Sequence, residues 1–250
     1  MRPLALEAAK FLTTMQQRDG SVGLFAHLDK PKWPTSLSLL LWSSLPEIEN
    51  DHKNRAVDWL LKAEGVTFPD AKGRDHDNSI PGWPWYEENY SWVEPTCYAL
   101  LALHKVGQST HKRSVDGFRL LVDRALPAGG WNYGSVSLHG RPLRPQIATS
   151  GIALLTLALS PETPPSALID KACHYLQNAL LKIQTPKSMS WAILGLRAWN
   201  RLPSNCDELL SNCWRKYGAK SENGLEVALF ALAAYPESLR YIGVKKAVGE

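Results

Sequence analysis

Apolar positions along this chain fall into two kinds of segment, and the two alternate. One kind is amphipathic. Within 53–64, Ala56, Trp59 and Leu60 fall at i, i+3 and i+4, which lays a single apolar stripe along a helix. Stretches 4–17, 112–126, 165–181 and 204–217 read the same way. The other kind is apolar almost throughout: PTSLSLLLW, PTCYALLAL, TSGIALLTL, MSWAILGL and GLEVALFAL. A helix that is apolar on all sides is buried on all sides, so these predict inner helices, beginning near residues 34, 95, 149, 188 and 224. Each is preceded by an amphipathic outer helix.

Superposed on Ser38, Ala99, Ala153, Ala192 and Ala228, the inner segments are separated by 61, 54, 39 and 36 residues, the early connections being longer. Turn residues punctuate the series at Asp19-Gly20-Ser21, Gly82-Trp83-Pro84-Trp85, Ala128-Gly129-Gly130-Trp131 and Ser221-Glu222-Asn223-Gly224. No stretch reads as a strand. The tail from 236 to 250 has room for one short helix, which Gly243 and Gly249 weaken. An alternation of this kind closes as a ring, with inner helices around a cavity, or stacks as an open solenoid. The apolar character of the inner helices favours the ring, because a solenoid would leave one of their faces to water. The pattern never breaks, so a single all-α domain over 1–250 is expected.

Composition narrows the classes of partner. With 250 residues and 44% hydrophobic content the chain can bury a core of ordinary size. A net charge of +4, with no Lys/Arg run longer than two, gives no footprint for nucleic acid. Cys97, Cys173, Cys206 and Cys213 show no CxxC pairing and no disulfide-framework density, which fits reduced thiols in a cytoplasm. No signal-peptide pattern opens the chain, and no run of 18 apolar residues predicts a membrane span. Asn89-Tyr90-Ser91 matches a glycosylation sequon, but without a secretion signal the match reads as chance. Phosphate-loop, Gly-x-Ser-x-Gly and His-Glu-x-x-His patterns are absent.

Candidate chemistry gathers near residues 82–103, GWPWYEENYSWVEPTCYALLAL, where an aromatic loop runs into an inner helix. Proline fixes its own φ and disfavours helix at the residue before it, so Glu94 reads as an N-cap and Pro95 as the first helical residue. Trp83, Trp85, Tyr86, Tyr90 and Trp92 place rings at the same end. Aromatic faces there either line a ligand cavity that can stabilise a cation or plug the end of the fold with apolar area. His139-Gly140-Arg141-Pro142-Leu143-Arg144 leads into the third inner helix. Two arginines and a histidine near a helix N-terminus either hold a diphosphate or form a solvated loop. Asp75-His76-Asp77 offers ligand-type side chains, but neighbours in an extended loop point apart, so no metal site is expected. Cys206 and Cys213, seven apart, share a helix face and read as core.

Three matches resemble the α/α toroids of terpenoid cyclases and protein prenyltransferase β subunits, built from prenyltransferase/squalene oxidase repeats. Phe11-Leu12, Gln16-Gln17 and Asp19-Gly20-Ser21-Val22-Gly23 resemble the repeat's turn, with Val22 where the repeat has tryptophan. Gly129-Gly130-Trp131-Asn132-Tyr133-Gly134 resembles the same turn with its tryptophan in place, and Trp92 to Leu103 resembles the start of an inner helix. The resemblance implies a toroid of about five helix pairs where six are usual, closed by the tail or completed by a protein partner or a second copy. It implies an isoprenoid or other apolar ligand in the barrel, held by Trp83, Trp85, Tyr86, Trp92, Trp131 and Tyr133, with His139, Arg141 and Arg144 at a diphosphate. Laid on the Asp-x-Asp-Asp-Thr element of cyclases, Trp92-Val93-Glu94-Pro95-Thr96 keeps one carboxylate, Glu94, at the position of the catalytic acid. Protonating an alkene needs a neutral acid, whereas a carboxylate at a helix N-terminus is stabilised in its ionised form, so Glu94 is either a proton donor or a cap. The Asp-x-Cys zinc element of prenyltransferases is missing, so no metal and no cofactor are expected. The rival reading is a non-catalytic module of the same fold that binds a lipid, a peptide or a partner.

Overall fold

A proline at the head of a helix has its φ preset and no N–H to leave unsatisfied, and two of the apolar segments begin on one. In the computed structural model, which describes residues 2–25, 28, 30–68, 75–219 and 221–244, those segments become α2 (Pro34–Trp42) and α8 (Pro186–Ala198). The other inner helices are α4 (Val93–Lys105), α6 (Ile147–Leu157) and α10 (Gly224–Ala234). All five begin within two residues of the expected positions. The amphipathic segments become α1 (Arg2–Thr14), α3 (Asn50–Lys62), α5 (Lys112–Asp123), α7 (Ser166–Ala179) and α9 (Cys206–Cys213). A short α11 (Leu239–Ile242) ends at Gly243, whose φ of 87° is left-handed. The protein is all-α apart from one hairpin, β1 (Ser137–Leu138) with β2 (Arg141–Pro142). No helix among the described residues is long and apolar enough to cross a membrane.

Contacts gather into two compact units, residues 1–120 and 121–250, with α5 running through the boundary. In the first, α2 packs on α1, α3 and α4, around Leu39, Trp42, Leu60, Leu100 and Leu103. Trp42 and Trp83, both buried, donate their indole N–H groups to the carbonyls of Ala9 and Leu60, each at 3.0 Å. In the second, α8 packs on α6 and α10, around Ile152, Leu154, Leu155, Ile193 and Leu194. The α6–α8 crossing brings backbone against backbone: a Cβ on Gly151 would lie 2.4 Å from the Trp191 carbonyl, and one on Gly195 would lie 2.5 Å from the Gly151 oxygen.

Two expectations need correction. The hairpin supplies strands where none was expected, because His139 and Gly140 both take positive φ, 51° and 72°. That pair of conformations makes the tight turn matching strand twist, and it folds the basic loop back on itself. The last inner helix is also less buried than its composition implies. Leu229, Phe230 and Ala233 of α10 face inward, while Leu225 is 56% exposed. Inner helices α4 and α8 each gain neighbours on two sides; α10 has α8 on one side, with Phe230 stacked 4.9 Å from Trp214.

Gly151→Ala should lower stability by about 1–3 kcal/mol through overpacking, outweighing the helix-propensity gain of about 1 kcal/mol. Gly224→Ala, where a Cβ meets nothing within 4 Å, should stay within about 0.5 kcal/mol. Urea denaturation followed by circular dichroism separates them, and equal midpoints would contradict the close crossing.

Candidate functional site

Loops that lead into the inner helices carry backbone N–H groups that must be satisfied once buried. The chain answers with a hydroxyl in the first turn of the helix that follows. Thr35 Oγ1 accepts from the Val22 N–H at 2.8 Å, Thr96 Oγ1 from the Trp83 N–H at 3.0 Å, and Ser150 Oγ from the Trp131 N–H at 2.8 Å. At two of the three places the tryptophan also reaches back to the preceding outer helix, Trp83 to Leu60 and Trp131 to the Leu121 carbonyl at 2.6 Å. Val22 holds the same place without a donor. The turns before Val22 and Trp131 match further, since Gly20 and Gly129 have φ near +94° and +93° and each abuts the backbone of a helix, at Arg55 and Lys171.

In the first unit these locks assemble a pocket. The heads of α2 and α4 lie beside the C-terminal end of α3, and the loop 83–87 passes between them. A cavity of about 240 Å³ opens there, walled by Trp33, Trp59, Leu60, Trp83, Pro84 and Pro95. Lys62, Glu64 and Glu87 supply its charged groups. Trp33 meets Trp85 edge to face at 5.1 Å, and Trp85 meets Tyr98 at 6.2 Å. The segments in front of α2 and α4 are stitched together by the Lys30–Glu88 ion pair and by the Lys32 backbone N–H, which donates to Glu87 Oε1 at 2.9 Å.

Arg113 holds the back of this pocket. The residue is only 7% exposed, and its guanidinium lies 3.7 Å from the centre of the Trp83 ring. Nε and Nη2 donate to the Ala63 carbonyl at 3.1 and 2.7 Å, Nη1 to Pro81 at 3.1 Å, and Nη2 to Gly82 at 2.7 Å. Burial pushes its pKa down to about 10, against the opposing charges of Glu64 and Asp116, so the group stays charged at neutral pH. The planar fork thereby ties the end of α3 to the aromatic loop from α5, a geometry lysine cannot supply.

Glu94 is not the N-cap. That place belongs to Trp92, with φ −121° and ψ 151°, and Glu94 sits inside the first turn of α4. The first-turn N–H groups of any helix lack intrahelical acceptors, so proline is tolerated at Pro95 and does not fix where the helix starts. Glu94 Oε1 accepts from the Tyr98 hydroxyl at 2.9 Å, and burial, followed by the charge of Glu94, raises the Tyr98 pKa.

The remaining sequence candidates are distributed as follows. Trp83 and Trp85 belong to the aromatic cluster, Trp92 supplies the α4 cap, and Tyr86 and Tyr90 are exposed. Trp131 is fully buried in the second unit and Tyr133 is exposed. His139 and Arg141 stand on the exposed hairpin, with exposed Arg144 just after it, its carbonyl accepting from Asn132. The Asp77 carboxylate is used by Ser79, and no group of His, Cys, Asp and Glu that could hold a metal occurs among the described residues. All four cysteines are buried and none is bridged in a disulfide; burial pushes the Cys173 thiol up to about 11. Trp33, Trp59, Glu87 and Arg113 were not expected as site residues, Trp59 being read only as part of the apolar stripe of α3. Trp33-Pro34-Thr35 did carry a signal, because it parallels Glu94-Pro95-Thr96, each with a proline followed by the locking threonine. No protein-family model matches the chain, and no curated protein matches it.

Thr96→Val should cost about 1–3 kcal/mol by orphaning the buried Trp83 N–H, measured as a shift in the denaturation midpoint. Arg113→Met should cost about 3–5 kcal/mol, since truncating a buried charged hub strands its partners, and Arg113→Lys should recover less than half of that. The contribution of Tyr98 to stability should also fall as pH rises past about 10, opposite in sign to that of Arg113, whose pKa burial lowers. An unfolded tyrosine ionises there while folded Tyr98 keeps its proton, so the unfolded state binds fewer protons. Tyr98→Phe should flatten that part of the stability profile.

Proposed function

We propose that the chain is a helical-repeat protein of the α/α-toroid type, resembling terpenoid cyclases and protein prenyltransferase β subunits, that binds an apolar ligand of isoprenoid character. The observation that carries this reading is the tryptophan-walled cavity at the heads of α2 and α4, built by the same threonine locks that begin the inner helices. Apolar pockets with a few placed polar groups are the usual form of a small-molecule site. The regular alternation of five outer and five inner helices supports the toroid, and the exposed face of α10 suits completion by a partner or a second copy.

Of the two functional readings, binding without catalysis is the better supported. A proton donor to an alkene must be a neutral acid that gives up its hydrogen. Glu94 instead accepts a hydrogen bond from Tyr98 and stands in the first turn of a helix, where negative charge is favoured. Acid-initiated cyclisation or isomerisation by Glu94 therefore has the weaker support, and Fold likeness alone assigns no reaction.

Native mass spectrometry of the purified protein, followed by organic extraction, tests the reading. A copurified polyprenyl or terpenoid compound is expected, and Glu94→Gln should retain it unchanged. Turnover of an isoprenoid by the unaltered protein that disappears in Glu94→Gln would restore the catalytic reading; failure of both proteins to hold any lipid would overturn the ligand assignment.

A further inference from the structure

Ser36 is a polar side chain that the tryptophan pocket leaves unanswered. It stands in the first turn of α2 and lines the cavity, with only 4% of the residue exposed. Its hydroxyl is hydrogen-bonded to no group among the described residues, yet, unlike the Ser38 and Ser114 hydroxyls, it is not sealed from water. The neighbouring Thr35 hydroxyl, by contrast, is fully engaged: it accepts from the Val22 N–H and donates to the Lys32 carbonyl at 2.7 Å. Buried polar groups are almost always hydrogen-bonded, and pockets for small molecules carry a few polar groups that fix a ligand's orientation. An open, unbonded hydroxyl in the wall of an apolar cavity meets both descriptions once a ligand's polar group sits on it.

Charge then restricts that group. A single hydroxyl cannot replace the hydration of an ionised head, whereas a neutral oxygen loses little by moving onto it. Lys62 is the one cation among the described lining residues, against Glu64 and Glu87, so a diphosphate finds no matching charge. Lys62 and Glu64 are exposed at the end of α3, where water screens them; Glu87 Oε1 accepts from the Lys32 N–H, and its Oε2 is sealed from water. The first turn of a helix favours an electron-rich atom, and a serine hydroxyl both donates and accepts, which an alcohol answers in full. The cavity of about 240 Å³ exceeds the roughly 150 Å³ that accommodates benzene, which suits a short isoprenoid stem. We propose that this pocket binds a short, neutral isoprenoid alcohol, its hydroxyl on Ser36 Oγ and its stem against Trp33, Trp59 and Trp83. The inference rests on the reading that the chain holds an isoprenoid ligand and adds where the ligand's polar group sits and that it is uncharged.

Tryptophan fluorescence titrations with geraniol, geranyl diphosphate and the oxygen-free 2,6-dimethyl-2,6-octadiene test it, the last two repeated in competition with geraniol. Geraniol should bind, and the diphosphate should displace it only at about tenfold excess or more. Ser36→Ala should lower the affinity for geraniol relative to the hydrocarbon by about three- to tenfold, the worth of one neutral hydrogen bond, whatever each affinity does alone. Displacement by the diphosphate at equal or lower concentration, or a geraniol-to-hydrocarbon ratio that Ser36→Ala leaves unchanged, would overturn the proposal; the diphosphate comparison needs no variant to fold. Binding of the diphosphate in preference to geraniol removes the head-group assignment alone, whereas binding of none of the three probes removes the isoprenoid reading with it.

Discussion

A buried backbone N–H needs an acceptor, and in this protein the need is met at the same place three times. The residue that turns each of three loops toward the core, Val22, Trp83 or Trp131, gives its N–H to a hydroxyl in the first turn of the helix that follows. Loop and helix thus become one unit, and the helix can be apolar on every other side because its polar obligations are met at its head. Thr35, Thr96 and Ser150 are buried for this reason, although their side chains are polar. Where the turning residue is tryptophan, its indole adds a second tie to the preceding outer helix, so one residue joins three elements.

The pocket of the first unit follows from those ties. Holding the Trp83 backbone against α4 and its indole against α3 leaves the ring beneath Arg113 and sets the residue in the wall of the cavity. Arg113 is a buried charged group, as Asp116 and Arg124 are, and it is acceptable there because its donors meet three carbonyls and its plane lies on a ring. Such an arrangement fixes position more than it adds stability, since replacing a well-partnered buried charge by apolar groups is often nearly neutral while removing one partner is not. Its effect here is to hold Trp83 as a rigid wall, which is what a binding pocket requires.

Chemistry in the two units differs. The first carries the aromatic cluster, the Glu94–Tyr98 pair and the half-bonded Glu87; the second carries the basic hairpin, exposed on a tight turn, and a glycine-mediated helix crossing. In the first unit a carboxylate accepts from a tyrosine, the Trp42 and Trp83 indole N–H groups are engaged, and aromatic side chains wall a cavity.

Hydrophobic periodicity alone determined the helices. Period 3.6 with one stripe gave the outer ones, near-continuous apolarity gave the inner ones, and five starts agreed to within two residues because burial and propensity point the same way there. Local rules failed where a neighbour in space decided the matter. Pro95 misplaced the cap because any first-turn position spares proline its missing N–H. The fit of Gly151 against Gly195, the burial of Arg113 from an otherwise amphipathic helix, and the convergence of Trp33, Trp59 and Trp83 on one cavity all join residues 24 or more positions apart. Periodicity reports which face of a helix is apolar, but the partner that face meets is set by packing, and the pocket exists only in that packing.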